Sequence, residues 1–83
     1  MEKQKLKEKK MRYANLNGNS NVMSFEIGSD YIDVTFGDYS TYRYSYSSAG
    51  RYNVEEMKRL AYRGYGLNSY IMRNCRYDYE RRF

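Results

Sequence analysis

A chain of 83 residues with 12 Tyr, 15 Lys and Arg and no His, Pro or Trp has room for one small core edged by phenol rings. Without His there is no Ser-His or Cys-His nucleophile and no His-ligated metal, and a lone cysteine, Cys75, allows neither an internal disulfide nor a cysteine metal cluster. Net charge +5 and a mean hydropathy of −1.03 then point to a basic binding module, not an enzyme, with no cofactor.

The charge is unevenly placed. Residues 1–12 hold six Lys and Arg against two acids, whereas the remaining residues hold nine against eight. Met1 to Arg12 offers only isolated apolar residues, Leu6 and Met11, so it reads as a solvated basic tail. Asn15 to Asn21, with four Asn, one Gly and one Ser, has loop composition. Three alternating stretches follow. Asn21 to Ile27 places Met23, Phe25 and Ile27 on one face; Tyr31 to Phe36 places Ile32, Val34 and Phe36 together; Thr41 to Tyr46 groups Tyr42, Tyr44 and Tyr46. Polar turns at Gly28-Ser29-Asp30 and Gly37-Asp38 separate them, which is the pattern of an antiparallel meander.

The period lengthens after Ser47-Ser48-Ala49-Gly50. Asn53 with Glu56 three residues on reads as a capping box, Val54, Met57, Leu60 and Ala61 share a helical stripe, and Gly64 stands where a C-terminal glycine belongs. A second helix is expected from Asn68 or Ser69 toward Phe83, with Leu67, Ile71, Cys75 and Tyr79 on one face. The expected fold is α+β: a three-stranded antiparallel β-meander followed by two helices packed on one sheet face. A basic tail and loop over residues 1–18 precedes a single domain over residues 19–83. No run approaches the ~18 apolar residues of a membrane span, and the N-terminus lacks the apolar stretch of a signal peptide. The expectation is a cytoplasmic protein with no membrane partner.

From about Asn19 to Tyr77 the chain resembles the KTSC domain family, a short module at the C-terminus of some lysyl-tRNA synthetases that also stands alone in bacterial and phage proteins. The residues that carry the resemblance are Ser20-Asn21-Val22, the Tyr-x-Tyr of Tyr42-Arg43-Tyr44, and the run from Gly64 to Arg73 with Asn68, Ile71 and Arg73 in the family's glycine-then-Asn-x-x-Ile-Arg order. The chain departs from the family at Tyr46-Ser47-Ser48, where a Val-Pro is expected. The resemblance implies nucleic-acid binding.

Two helices must cover one sheet face, and Arg43 and Ser45 are poor core residues. Tyr42, Tyr44 and Tyr46 are therefore expected as half-buried core with hydroxyls at the rim, in preference to a base-stacking platform. Ser24, Glu26, Asp33, Thr35 and Arg43 then face outward with Tyr31. On the second helix Tyr70, Arg73 and Tyr77 fall opposite the buried stripe, with Arg76 on the flank. Interleaved rings and guanidiniums suit base stacking and phosphate contact, although an intrahelical Arg–Tyr stack with Glu80 pairing Arg76 accounts for the same spacing. Gly64-Tyr65-Gly66 leads into that helix, where free backbone N–H groups favour an anion that Arg63 and Lys58 can neutralise. A plain tight turn between helices is the duller account. Cys75, on the buried stripe, reads as a core residue. A His-free ribonuclease working through Tyr, Arg and Lys is chemically open, but the acids form no pair that can be placed in a cleft.

The expected function is a small nucleic-acid-binding module, for RNA in preference to DNA, using Tyr70, Arg73, Arg76, Tyr77, Lys58, Arg63 and Tyr65 and no metal. The alternative is a phage-type protein–protein inhibitor or adaptor working through the same Tyr/Arg-rich surface, because Tyr and Arg also dominate interface hot spots. A small nucleotide held at the Gly64 loop is a third reading. The Lys-rich tail would add salt-sensitive attraction to any acidic partner.

Overall fold

Period-2 alternation builds an antiparallel sheet in the computed structural model, which describes residues 10–83. The strands are β1 (Lys10–Arg12), β2 (Val22–Ile27), β3 (Tyr31–Phe36), β4 (Thr41–Ser45) and β5 (Arg81–Arg82), each paired antiparallel with the next. Helices α1 (Tyr46–Ala49), α2 (Arg51–Arg63) and α3 (Leu67–Asn74) lie between β4 and β5 in the chain and cover one sheet face. The α+β fold expected from the sequence forms, and the sheet gains a short strand at each edge.

The core follows the apolar periods. Ile32, Val34 and Phe36 on β3 meet Val54, Met57, Leu60 and Ala61 on α2 and Leu67 and Ile71 on α3, all buried. Tyr44 is only 2% exposed and Tyr42 packs at the margin, so the Tyr face of β4 is the core face. Tyr46 is half-buried, as expected, but belongs to α1; its hydroxyl donates to Glu55 at 2.6 Å. On β2 the phase differs from simple alternation. A register irregularity between Val22 and Ser24 puts Val22 and Phe25 in the core and leaves Met23 40% exposed. One extra residue in a strand moves everything before it to the other face.

Three boundaries are corrected. The first concerns α2, which starts at Arg51, with Gly50 (φ 91°) separating it from α1. The capping box is Ser45 with Ser48, on α1. Asn53 instead donates its amide to the Ala49 carbonyl at 2.9 Å and accepts from the Tyr70 hydroxyl at 2.6 Å. The second concerns α3, which stops at Asn74 well short of Phe83. Glu80 N–H and Phe83 N–H donate to the Arg43 and Thr41 carbonyls at 2.6 and 2.8 Å, and Tyr79 packs edge-on against Tyr42 with centroids 4.8 Å apart. Pairing the open edge of β4 and covering its tyrosines outweigh about two and a half more helical turns.

The third boundary is the tail. Residues 10–18 of the expected tail and loop belong to the body: Lys10–Arg12 pairs with β2, and Tyr13 is 3% exposed. Leu16 N–H also donates to the Gly64 carbonyl at 2.8 Å. The rest of the basic tail lies outside the described residues.

Candidate nucleic-acid interface

Helical spacing places Tyr52, Glu56, Arg59 and Arg63 on one stripe of α2, roughly 140° round from the centre of its buried face with Leu60 between them. The facing stripe of α3 carries Ser69, Tyr70 and Arg73. Between them runs a groove of about 330 Å³ whose charged lining is Arg59, Arg63 and Arg73 against a single acid, Glu56. Glu56 accepts from Arg59, which holds its carboxyl below the usual range with Arg63 helping from further away. Arg63 lies 3.9 Å over the Tyr65 ring and donates to the Tyr65 carbonyl at 3.3 Å. Arg73 is exposed and has no acidic partner among the described residues.

Tyr70 forms the groove wall. It is half-buried, its hydroxyl is spent on Asn53, and burial pushes its pKa up, so it positions the groove without offering an open ring. Tyr65 (40% exposed) and Tyr52 (77% exposed) are the open rings, both within electrostatic reach of Arg59.

The structure therefore brings together Arg63, Tyr65, Tyr70 and Arg73 of the residues expected at the site. It does not bring Lys58, Arg76 or Tyr77. Lys58 sits on another side of α2, where it pairs with Glu55 at 2.9 Å and donates to the Ser29 carbonyl at 3.1 Å. Arg76 and Tyr77 follow the end of α3 in a turn, with the guanidinium 5.3 Å from the Tyr77 ring centre. The expected Arg76–Glu80 helical pair is absent because no helix joins those residues.

The Gly64–Gly66 turn is largely occupied by the body itself. Leu67 N–H, first in α3, donates to the Tyr13 hydroxyl at 3.3 Å, so this helix end already has one of its donors satisfied. A small recess of about 100 Å³ beside it is lined by Asn15, Asn17, Asn19, Asn68 and Ser69. Arg59 was not singled out in the sequence, although its 4-3-4 spacing with Tyr52, Glu56 and Arg63 was legible there.

The other sheet face carries its charges in one cross-strand row: Lys10, Glu26, Asp33, Arg43 and Arg81. Arg43 donates to both Asp33 oxygens, at 2.8 and 3.0 Å, and this pairing pushes the Arg43 pKa up. The guanidinium also lies 3.8 Å from the Tyr31 ring centre. Cys75 is a buried thiol pushed up to about 11 by burial and then by Asp78, which leaves it protonated and unreactive at neutral pH. Among the described residues no group of three His, Cys, Asp or Glu can hold a metal ion, and no helix is long and apolar enough to cross a membrane.

No family model, curated protein or solved structure matches this chain.

Proposed function

We propose that the protein is a small binding module for single-stranded RNA and that the α2–α3 groove is its site. The observation that carries this reading is the charge of the groove, three guanidiniums against one carboxylate, with the exposed Tyr52 and Tyr65 within electrostatic reach of Arg59. Arginine forks match phosphate oxygens, and exposed rings accept bases of any sequence by stacking, which together describe a single-strand groove. Arg73 and Arg63 supply phosphate contacts, Tyr65 and Tyr52 supply stacking, and Arg59 is held at the groove by Glu56. The resemblance to KTSC domains, some of them appended to a lysyl-tRNA synthetase, supports the same class of partner. No residue is assigned to bond-making chemistry in this reading.

Binding of a fluorescent single-stranded RNA, followed by anisotropy at low and moderate salt, tests it. Arg63→Ala/Arg73→Ala should keep the parent's melting temperature and lose at least tenfold in affinity. Unchanged affinity in that variant would remove the groove from RNA binding. The second reading is an inhibitor or adaptor for another protein. It is favoured by the far sheet face, where balanced charges and the Tyr31 and Phe83 rings surround a groove of about 240 Å³. Under that reading Arg43 and Phe83 substitutions abolish partner capture while the α2–α3 pair has no effect.

A further inference from the structure

Flanking α3 on another side from the arginine groove is a separate cleft of about 260 Å³. Phe36, Tyr42 and Tyr44 form its aromatic lining, Met72 is exposed at it, and Asn21, Asp38, Ser40 and Asn68 supply its polar groups. Both donors of Ser40 go to one Asp38 oxygen, the N–H at 3.0 Å and the hydroxyl at 2.6 Å, which leaves Oδ2 to accept from an incoming group. The side-chain amides of Asn21 and Asn68 have no hydrogen-bond partner among the described residues. The hydrogen bonds from Ser40 hold the Asp38 carboxyl below its ordinary range, so the cleft carries a carboxylate at neutral pH.

The cleft and the groove adjoin the same recess. Asn68 lines both the cleft and the Asn-rich recess, and Gly66 and Ser69 line both the recess and the arginine groove. The path across the N-terminal half of α3 thus has the Asp38 carboxylate at one end, with Arg82 within electrostatic reach of it, and the three arginines at the other. The crossing is one helix wide, roughly 10–12 Å, which a short stretch of nucleotides spans.

We infer that this cleft is a base pocket, selective for guanine, for the same RNA strand whose phosphates lie in the arginine groove. The inference rests on the RNA-binding reading above. The polarity of the path sets the direction, because a carboxylate repels phosphate and three arginines attract it. The donor pattern sets the base. Guanine presents two neighbouring N–H donors on its Watson–Crick edge, of which one can donate to Asp38 Oδ2 and the other to an Asn side-chain oxygen, beside the O6 and N7 acceptors that an Asn amide N–H can meet. Adenine, cytosine and uracil do not combine two such adjacent donor groups with a flanking carbonyl. Met72, 39% exposed, and the partly buried Tyr42 provide the apolar, polarisable contact a base plane needs.

The test compares two labelled hexaribonucleotides by anisotropy, one all uridine and one with a single central guanosine. The parent protein should bind the guanosine probe about tenfold more tightly, as one hydrogen bond to a charged group gives. Asp38→Asn, which keeps an oxygen for Ser40, should erase that preference and leave the affinity and salt dependence for the uridine probe unchanged. Asn68→Ala should reduce the preference by an independent route, and thermal melting of each variant checks the fold. Arg73→Ala should weaken both probes equally. If the parent binds both probes equally, or if both variants keep the preference, the base pocket is overturned while RNA binding stands. If neither probe binds at low salt, the RNA reading fails and takes the pocket with it.

Discussion

Arg43 and Tyr44 are neighbours in sequence and face opposite sides of the sheet, and both are held more tightly than a surface and a rim residue would be. Tyr44 is 2% exposed beneath two helices, so Tyr44→Ala should destabilise the fold by about 3 kcal/mol in urea denaturation, within the range for large aromatic truncations. The sequence places Arg43 outward, where truncation costs little. The structure raises that cost, because Asp33 is only 8% exposed and takes both its charged hydrogen bonds from Arg43. Arg43→Ala leaves that carboxylate unpaired and should cost about 2 kcal/mol, with Asp33→Ala in the same chain recovering part of the loss. An Arg43→Ala protein as stable as the parent would show that the pair contributes nothing. Cys75 adds a pH signature. Its folded pKa of about 11 lies above the ordinary 9.0, so between those values the unfolded thiol ionises while the folded one stays protonated. The unfolded state then binds fewer protons, and stability falls as pH rises through that window. Cys75→Ser should make the fall shallower, with Tyr44 and Tyr70, pushed up by burial, and Tyr46, pushed up by its hydrogen bond to Glu55, contributing to the remainder. In the native protein at neutral pH a thiol reagent should label Cys75 only as fast as the chain opens.

At the level of the elements, what could be read depended on whether local pattern and tertiary pairing agreed. β3 was legible because its period is uninterrupted, and α2 because its apolar stripe recurs at 3.6 residues up to Gly64. β2 misled because a bulge leaves no mark on a six-residue string: Met23 and Phe25 are both apolar, and only the pairing with β3 shows which lies inside. The C-terminal segment misled for a different reason. Cys75 and Tyr79 continue the stripe of Leu67 and Ile71, but the edge of β4 and the rings of Tyr42 and Tyr44 offer Tyr79 a better contact than solvent beside a longer helix. Lys10 to Tyr13 hid within a run of lysines, where composition outweighed one aromatic residue that turns out to be core. The α2–α3 corner shows the coupling most directly. A Cβ on Gly64 would stand 2.9 Å from the Ala14 Cβ at φ 88°, whereas one on Gly66 would meet only the flexible end of Arg63 at 2.8 Å. Both substitutions strain the backbone, but only the first also displaces the N-terminal strand's continuation. Gly64→Ala should therefore destabilise the fold clearly more than Gly66→Ala in urea denaturation, by about 2 against about 1 kcal/mol. Equal effects would mean that Ala14 yields freely.

Over the whole molecule the distribution of charge matters more than its sum. Three of the cations in the body are neutralised in place, Arg43 by Asp33, Lys58 by Glu55 and Arg59 by Glu56. Those left over include Arg63 and Arg73, which share one groove, so a body of nearly balanced composition still presents a positive seam. Under the proposed RNA binding Glu56 is a brake, because it occupies Arg59 and would repel a phosphate entering the groove. Glu56→Gln removes the carboxylate while keeping an oxygen for Arg59. It should raise RNA affinity several-fold and steepen the dependence on salt, because one more cation is then free to release counterions from the strand. Arg73→Ala should do the opposite, lowering the logarithmic salt slope by roughly 0.7, the value for one phosphate on a single strand. Lys58→Ala and Arg76→Ala provide the contrast. Each removes one charge of the same sign, but neither residue lines the groove, so net charge falls equally while the slope should stay within error of the parent. Anisotropy titrations of the four variants across a salt series separate the cases. If all three cation removals flatten the slope alike, binding follows overall charge and the groove has no special part in it; if only Arg73→Ala does, the strand lies between α2 and α3.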